Sequence, residues 1–367
     1  MLRAMSTPLV DRARRIAPEL RGHRAAHDRA RQLDPAVVTL LREGGFLGAL
    51  APRELGGDEL PPADYVELLE ALAAGDAAAA WCVMTATTTS LLLAYLPRAA
   101  AAAMWPPGAP PPFLSGVFAP GGKLADGRLS GRWSYASGSR HADGFFVGAL
   151  AGKRHVVCAV PPQAVTIADN WDTLGLAGTG SHDLVIEEAE VAPDRVTSVF
   201  ERAPWSDAAL YRVPLFGLLS AGIAGCGLGI ARAALHHAAG RLAADAPSLA
   251  LVRYGELRAQ LDAARAYLRA TAAAVAAAAA AAGPGGAIGD AARGELRLAS
   301  RFVAQTCAEV ARGAFHLGGG ASARTGSPLG EALRDAETLL THRMVAERVL
   351  PAAARAVLGL GAAPPDL

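Results

Sequence analysis

Residues 131–181 constrain the fold of this chain more than any other stretch. They are the one region patterned as β-structure, and they lie between two alanine-rich helical blocks. The stretch opens as Gly131-Arg-Trp-Ser-Tyr-Ala-Ser-Gly-Ser-Arg-His-Ala-Asp-Gly144 and closes as Trp171-Asp-Thr-Leu-Gly-Leu-Ala-Gly-Thr-Gly-Ser181. Inside it, residues 145–150 form a short apolar run bounded by glycine. A polar tip, Lys153-Arg154, follows, and residues 156–160 return to stop at Pro161-Pro162. Two short apolar runs joined by a tight polar turn predict a β-hairpin. Residues 183–191 alternate in part and predict a third strand. A small antiparallel sheet or barrel set between helical layers accommodates all three.

The flanks read as helix. Asp34-Pro35 has the form of a helix start, Asp as cap and Pro in the first turn, and that helix ends at Gly44-Gly45. Pro61-Pro62-Ala-Asp64 opens another, with Tyr65, Leu68, Leu69 and Leu72 spaced as a buried stripe. A proline-rich segment, 108–112, marks a boundary. From Ser206 the chain is helical again. Residues 247–268 and 267–282 predict two long helices, and 290–317 a third that ends at Gly318-Gly-Gly320. Long helices with short turns predict an up-down bundle. The expected fold is mostly α with a β middle: a helical domain 1–112, a β domain 113–204 and a helical bundle 205–367.

Composition narrows the function classes. A chain of 367 residues exceeds one typical core. A net charge of +1 sets up no field that would gather nucleic acid or acidic lipid. Cys82, Cys158, Cys226 and Cys307 are far apart and form no CxxC pair, so no metal site and no disulfide framework is expected. Free thiols fit a reducing, cytoplasmic setting, and the N-terminal residues lack a sustained apolar signal-peptide core. Residues 77–97 and 213–230 carry no charge and are long enough to span ~30 Å as helix. They have no flanking aromatic belts, so helices buried within a bundle are expected and no membrane span. Gly225-Cys-Gly-Leu-Gly-Ile230 is not preceded by a strand, which rejects a dinucleotide loop in favour of close helix packing.

Glu43-Gly-Gly-Phe-Leu-Gly-Ala-Leu-Ala-Pro-Arg-Glu-Leu-Gly-Gly57 resembles the N-terminal signature of the acyl-CoA dehydrogenase superfamily, a helix end followed by P-x-E-x-G-G. The forms W-x-x-x-S-G-x-x-H-A-D, starting at Trp133, and W-x-x-x-G-x-x-G-T-G-S, starting at Trp171, are similar to the flavin-dependent monooxygenases built on the same fold. That resemblance runs from about residue 10 to about residue 350. It implies a two-component enzyme that takes reduced FAD or FMN from a separate flavin reductase and uses O2 to hydroxylate an aromatic or polycyclic small molecule. It also implies a homo-oligomer, dimer or tetramer.

The resemblance further implies roles for particular residues. Ser137 would meet flavin N5 and O4, where a hydroxyl can donate or accept. Tyr135 or Trp133 would pack on the ring, Thr179 and Ser181 would lie beside it, and the backbone of Phe118 and Ala119 would touch it. Residues 116–122 lack the acidic and serine positions of the superfamily's T-E-P-x-x-G-S. Plainer roles need no flavin: a strand-end serine, core aromatics, a β-turn at Gly180.

Residues 328–342 resemble the superfamily's R-x-x-R-D-A helix. Eight positions past Asp335, where many dehydrogenases of the superfamily hold a catalytic glutamate, stands Arg343, which cannot remove a proton. His342 fits the monooxygenase pattern instead. On a continuous helix it would share a face with Asp335, ~10.5 Å along the axis. Ser137 and His342 are thus the expected catalytic pair, with His342 as general base; a capping histidine is its plain alternative. An acyl-thioester dehydrogenase using Glu256 as base, and a non-catalytic flavin-binding subunit, are the competing functions.

Overall fold

The computed structural model describes residues 7–242 and 245–367. Its N-terminal part holds α1 (Pro8–Ala30), α2 (Pro35–Glu43), α3 (Pro62–Ala73), α4 (Ala77–Ser90) and α5 (Arg98–Met104). Proline stands in the first turn of α1, α2 and α3, where its missing N–H costs nothing. Asp34 caps α2 by accepting from Ala36 N at 2.9 Å, and Asp76 caps α4 by accepting from Ala78 N at 2.8 Å.

Helix α4 runs through the core, with every residue except Thr85 buried. Its hydroxyls are satisfied within the helix: Thr87, Thr88 and Thr89 donate to the carbonyls of Val83, Met84 and Thr85 at 2.8, 2.9 and 2.7 Å. Such back-bonding lets a threonine-rich helix be buried without orphaned polar groups. The two apolar windows long enough to span a bilayer, Ala77–Tyr95 and Leu215–Ala239, are 94% and 89% buried inside the protein.

The β layer is one sheet of seven strands. They are β1 (Leu114–Ala125), β2 (Arg128–Ala136), β3 (Gly144–Ala151), β4 (Arg154–Val160), β5 (Thr166–Ala168), β6 (His182–Glu190) and β7 (Val196–Thr197). The order is β5-β6-β2-β1-β3-β4-β7. The expected hairpin is β3–β4, with Val147 opposite Cys158, and the expected third strand is β6. The wholly antiparallel arrangement is corrected at the centre, where β1 and β3 pair in parallel. The reason is a second hairpin, β1–β2. It closes on Asp126-Gly127, both at positive φ (50° and 74°), the dipeptide and conformation that tight hairpins favour. The chain then crosses to the far side of β1 before starting β3.

Trp133 is 1% exposed in the sheet's own core and donates from Nε1 to Gly148 O at 2.6 Å. A Cβ at Gly122 would sit 2.3 Å from its ring, so that glycine makes room for the indole. Trp133 is therefore a core residue, and of the two ring-packing candidates only Tyr135 remains.

The C-terminal part comprises α6 (Leu215–Ala239), α7 (Ser248–Ala281), α8 (Asp290–Leu317), α9 (Pro328–Leu340) and α10 (Leu350–Val357). The two helices expected over 247–282 are one helix of 34 residues, because the alanine run favours continuation. The glycines of α6 seat it on α3. A Cβ at Gly229 would stand 2.4 Å from Glu70 O, and one at Gly225 would stand 3.0 Å from Val66 O.

Candidate flavin site

A cavity of about 830 Å³ opens between α4, the sheet and the turn that follows α9. Phe118, Ala119, Tyr135, Ser137, Thr179, Ser181 and His342 all line it. The two middle-domain motifs form one wall because they are stitched together. Gly138 N donates to Thr179 O at 2.7 Å, and Ser139 Oγ donates to Gly180 O at 3.1 Å. Gly138 has φ +69°, and a Cβ there would meet the Phe113 ring at 2.3 Å, so the turn beneath Ser137 requires glycine.

The wall carries a chain of hydroxyls. Trp81 Nε1 donates to Ser137 Oγ at 3.1 Å. Ser137 Oγ lies 2.8 Å from Ser181 Oγ, which lies 2.7 Å from Thr179 Oγ1. Thr179 Oγ1 donates to Leu176 O at 2.8 Å. Each hydroxyl has one proton. Because Thr179 spends its proton on Leu176, Ser181 donates to Thr179 and Ser137 donates to Ser181. The polarity runs one way, and the remaining lone pairs of Ser137 and Ser181 can accept from a guest.

Asp335 anchors this wall from below. Its Oδ1 accepts from Leu176 N at 2.8 Å, and its other oxygen pairs with Arg24. Arg24 also reaches Glu331 at 3.0 Å. Asp335 thus acts on the loop before Thr179. The shared helix face expected for Asp335 and His342 is corrected: α9 ends at Leu340, and His342 stands in the turn beyond it.

His342 lines the same cavity. Met344 N donates to its Nδ1 at 3.2 Å, and its ring stands edge-on to Trp81 with centroids 5.6 Å apart. Burial is the main reason its pKa falls from 6.5 to about 4, and the cations Arg343, Arg297 and Arg348 add to it. The ring reaches the cavity yet is otherwise walled in, so it is neutral at pH 7. Tyr135 is 73% exposed at φ +71° and stands edge-on to Trp171, 6.3 Å away. A side chain in that backbone region is strained.

Two further findings place the chain. Profiles described as "Acyl-CoA dehydrogenase, N-terminal domain" and "Acyl-CoA dehydrogenase, C-terminal domain" match residues 7–106 and 221–347. The indole-3-acetate monooxygenase of Pseudomonas putida is 31% identical over 341 residues, covering 87% of this chain and 86% of the relative. The chain belongs to the flavin-dependent monooxygenases of the acyl-CoA dehydrogenase superfamily. The oxygenase component of an FADH2-dependent resorcinol hydroxylase from a Rhizobium species is 28% identical over 289 residues, 70% of each chain. The crystal structure of 3-HSA hydroxylase from Rhodococcus sp. RHA1 superposes with a TM-score of 0.91 at 23% identity, over 99% of this chain and 100% of that one.

In this monooxygenase, Glu256 lies exposed on α7, paired with Arg253 at 3.1 Å, and does not line the cavity. The carboxylate that does line it is Asp366. Sequence reasoning missed Trp81, which touches both Ser137 and His342; as one aromatic in an uncharged helix it looked like core. It also missed Arg343 and Trp171 as cavity residues, although both adjoin or begin motifs that were recognised.

Proposed function

We propose that this enzyme is the oxygenase component of a two-component system. It takes reduced FAD or FMN from a separate flavin reductase and transfers one atom of O2 to an aromatic small molecule, the other leaving as water while the flavin is oxidised. The observation that carries this reading is one cavity lined by the bonded hydroxyls of Ser137 and Ser181 and by His342, with Glu256, the base of the dehydrogenase alternative, outside it.

The residues present fit a flavin. The cavity is large enough for a flat tricyclic ring with a guest beside it. Ser137, Ser181, Thr179, Phe118, Ala119 and Tyr135 all line the cavity; the three hydroxyls would hold the flavin's polar edge, with backbone of Phe118 and Ala119 and the Tyr135 side chain beside the ring. When bound, the flavin supplies the oxygen chemistry, and the protein supplies orientation and a dry pocket. An indole-3-acetate monooxygenase and the oxygenase component of a resorcinol hydroxylase are among the relatives, which supports a substrate of that size.

The three-part division at 112 and 204 accounts for a site built from all three parts. An oligomer is supported by apolar side chains left exposed on α7 and α8, among them Leu249, Val252 and Phe302. Buried free thiols support a reducing cytoplasm. The test is direct. Supply chemically reduced FAD or FMN, O2 and indole-3-acetate or resorcinol, and analyse products by mass spectrometry; the reading expects a product with one added oxygen.

A further inference from the structure

The tautomer of His342 is fixed by one bond. Met344 N donates to Nδ1 at 3.2 Å, so Nδ1 presents a lone pair, and the ring's single proton is on Nε2. Nδ1 is the ring nitrogen nearer its own backbone, which is why the amide two residues on can reach it. Among the described residues Nε2 has no protein partner, nor is it among the sealed, unpaired nitrogens. It opens to the cavity that His342 lines.

The charges around this ring are unbalanced. Arg343, Arg297 and Arg348 all act on it. Arg297 is 3% exposed, and its Nη1 bonds only to Phe216 O at 3.1 Å and Met344 Sδ at 3.5 Å. Its Nε has no partner, and burial drives its pKa down to about 10. Asp366, which acts on Arg297 from the cavity edge, is the opposing carboxylate. No carboxylate bonds to His342 among the described residues.

We propose that His342 serves as a hydrogen-bond donor, through Nε2–H, to an anionic oxygen of the aromatic substrate, an ionised phenol or a carboxylate, and not as a proton acceptor. To act as a base it would have to move its proton to Nδ1 and break the Met344 bond, leaving a buried amide unpaired. It would then hold a positive charge beside three arginines. An anionic oxygen uses the N–H as it stands and is favoured by the same arginines. The nature of the guest rests on the proposed function; the tautomer does not.

Long-range proton–nitrogen NMR of the histidine-labelled, flavin-free protein at pH 7 tests this, with His342→Gln identifying the resonance. The expected result is a protonated Nε2 and a bare Nδ1. A protonated Nδ1, or an imidazolium, overturns the proposal. Titration with 4-nitrophenol below its solution pKa is expected to bind the yellow anion, and preference for the neutral phenol overturns the anionic class. In turnover with chemically reduced flavin, His342→Gln, which keeps an N–H in place, is expected to exceed His342→Glu by at least ~10-fold; the reverse order overturns the donor role. If the tautomer is as stated but no oxygenated product forms with any flavin, the proposed function fails and the tautomer assignment stands.

Discussion

Trp81 stands edge-on to His342, with ring centroids 5.6 Å apart and planes at 68°. Its indole N–H meanwhile donates to Ser137 Oγ. One side chain from the buried helix α4 therefore touches both residues and fixes them relative to each other within the cavity.

Trp81→Phe keeps the ring and removes the donor. The hydroxyl chain then loses its first bond, for a stability cost of ~1 kcal/mol. Reduced-flavin affinity should fall ~3- to 10-fold, since the orientation of Ser137 is no longer set. Thermal melting and flavin titration check both.

Asp335→Ala should cost ~1–3 kcal/mol, because it removes one of the two carboxylates on Arg24, Glu331 alone remaining. It also frees Leu176 N, so the loop carrying Thr179 should exchange its amide protons faster. Denaturant unfolding and hydrogen exchange measure the two effects.

Gly229→Ala should destabilise by ~1–3 kcal/mol through overpacking, since its Cβ would meet backbone of α3 at 2.4 Å. Gly255, with open space around it, is the control: Gly255→Ala should be neutral or stabilising by ~1 kcal/mol, as expected within a helix.

The pH dependence of stability has a sign. The folded pKa of His342, about 4, lies below its ordinary 6.5. The unfolded chain therefore binds the proton more readily, and stability is lost as pH falls from 6.5 towards 4. Asp28 opposes this. Burial raises its pKa from 3.8 to about 6, so its protonated form favours the fold at low pH, and that contribution is lost as pH rises through the same window. Comparing the melting temperature of His342→Gln with the parent protein isolates the histidine: the variant should lose less stability between pH 6.5 and 4.

Much of this was legible in sequence because it depends on local chemistry. Asp34-Pro35, Gly44-Gly45 and the apolar runs at 145–150 and 156–160 encode caps, stops and a hairpin that context does not override. The Ser137 and Thr179–Ser181 motifs were legible as neighbours because their spacing matched a known pattern, and both line the cavity. The parallel β1–β3 pairing was not, since it depends on where the chain goes after Asp126-Gly127. The end of α9 before His342 was also hidden: Thr341-His342-Arg343 contains no glycine or proline, and the turn is held by bonds such as Val345 N to His342 O and Met344 N to His342 Nδ1. Trp133 and Tyr135 could not be told apart, because period-two alternation separates them by two residues onto one face, while the positive φ of Tyr135 moves it off that face.

We propose that one cavity, lined by Ser137 and His342, holds reduced flavin and uses it to oxygenate an aromatic guest. The most direct measurement is turnover under oxygen-18 gas with chemically reduced FAD or FMN and an aromatic acid or phenol. One oxygen-18 atom is expected in the product, with incorporation reduced ~100-fold or more in His342→Ala. Flavin that binds and reoxidises with no label in any aromatic product, or oxidised flavin bleached by an acyl-CoA, would contradict it.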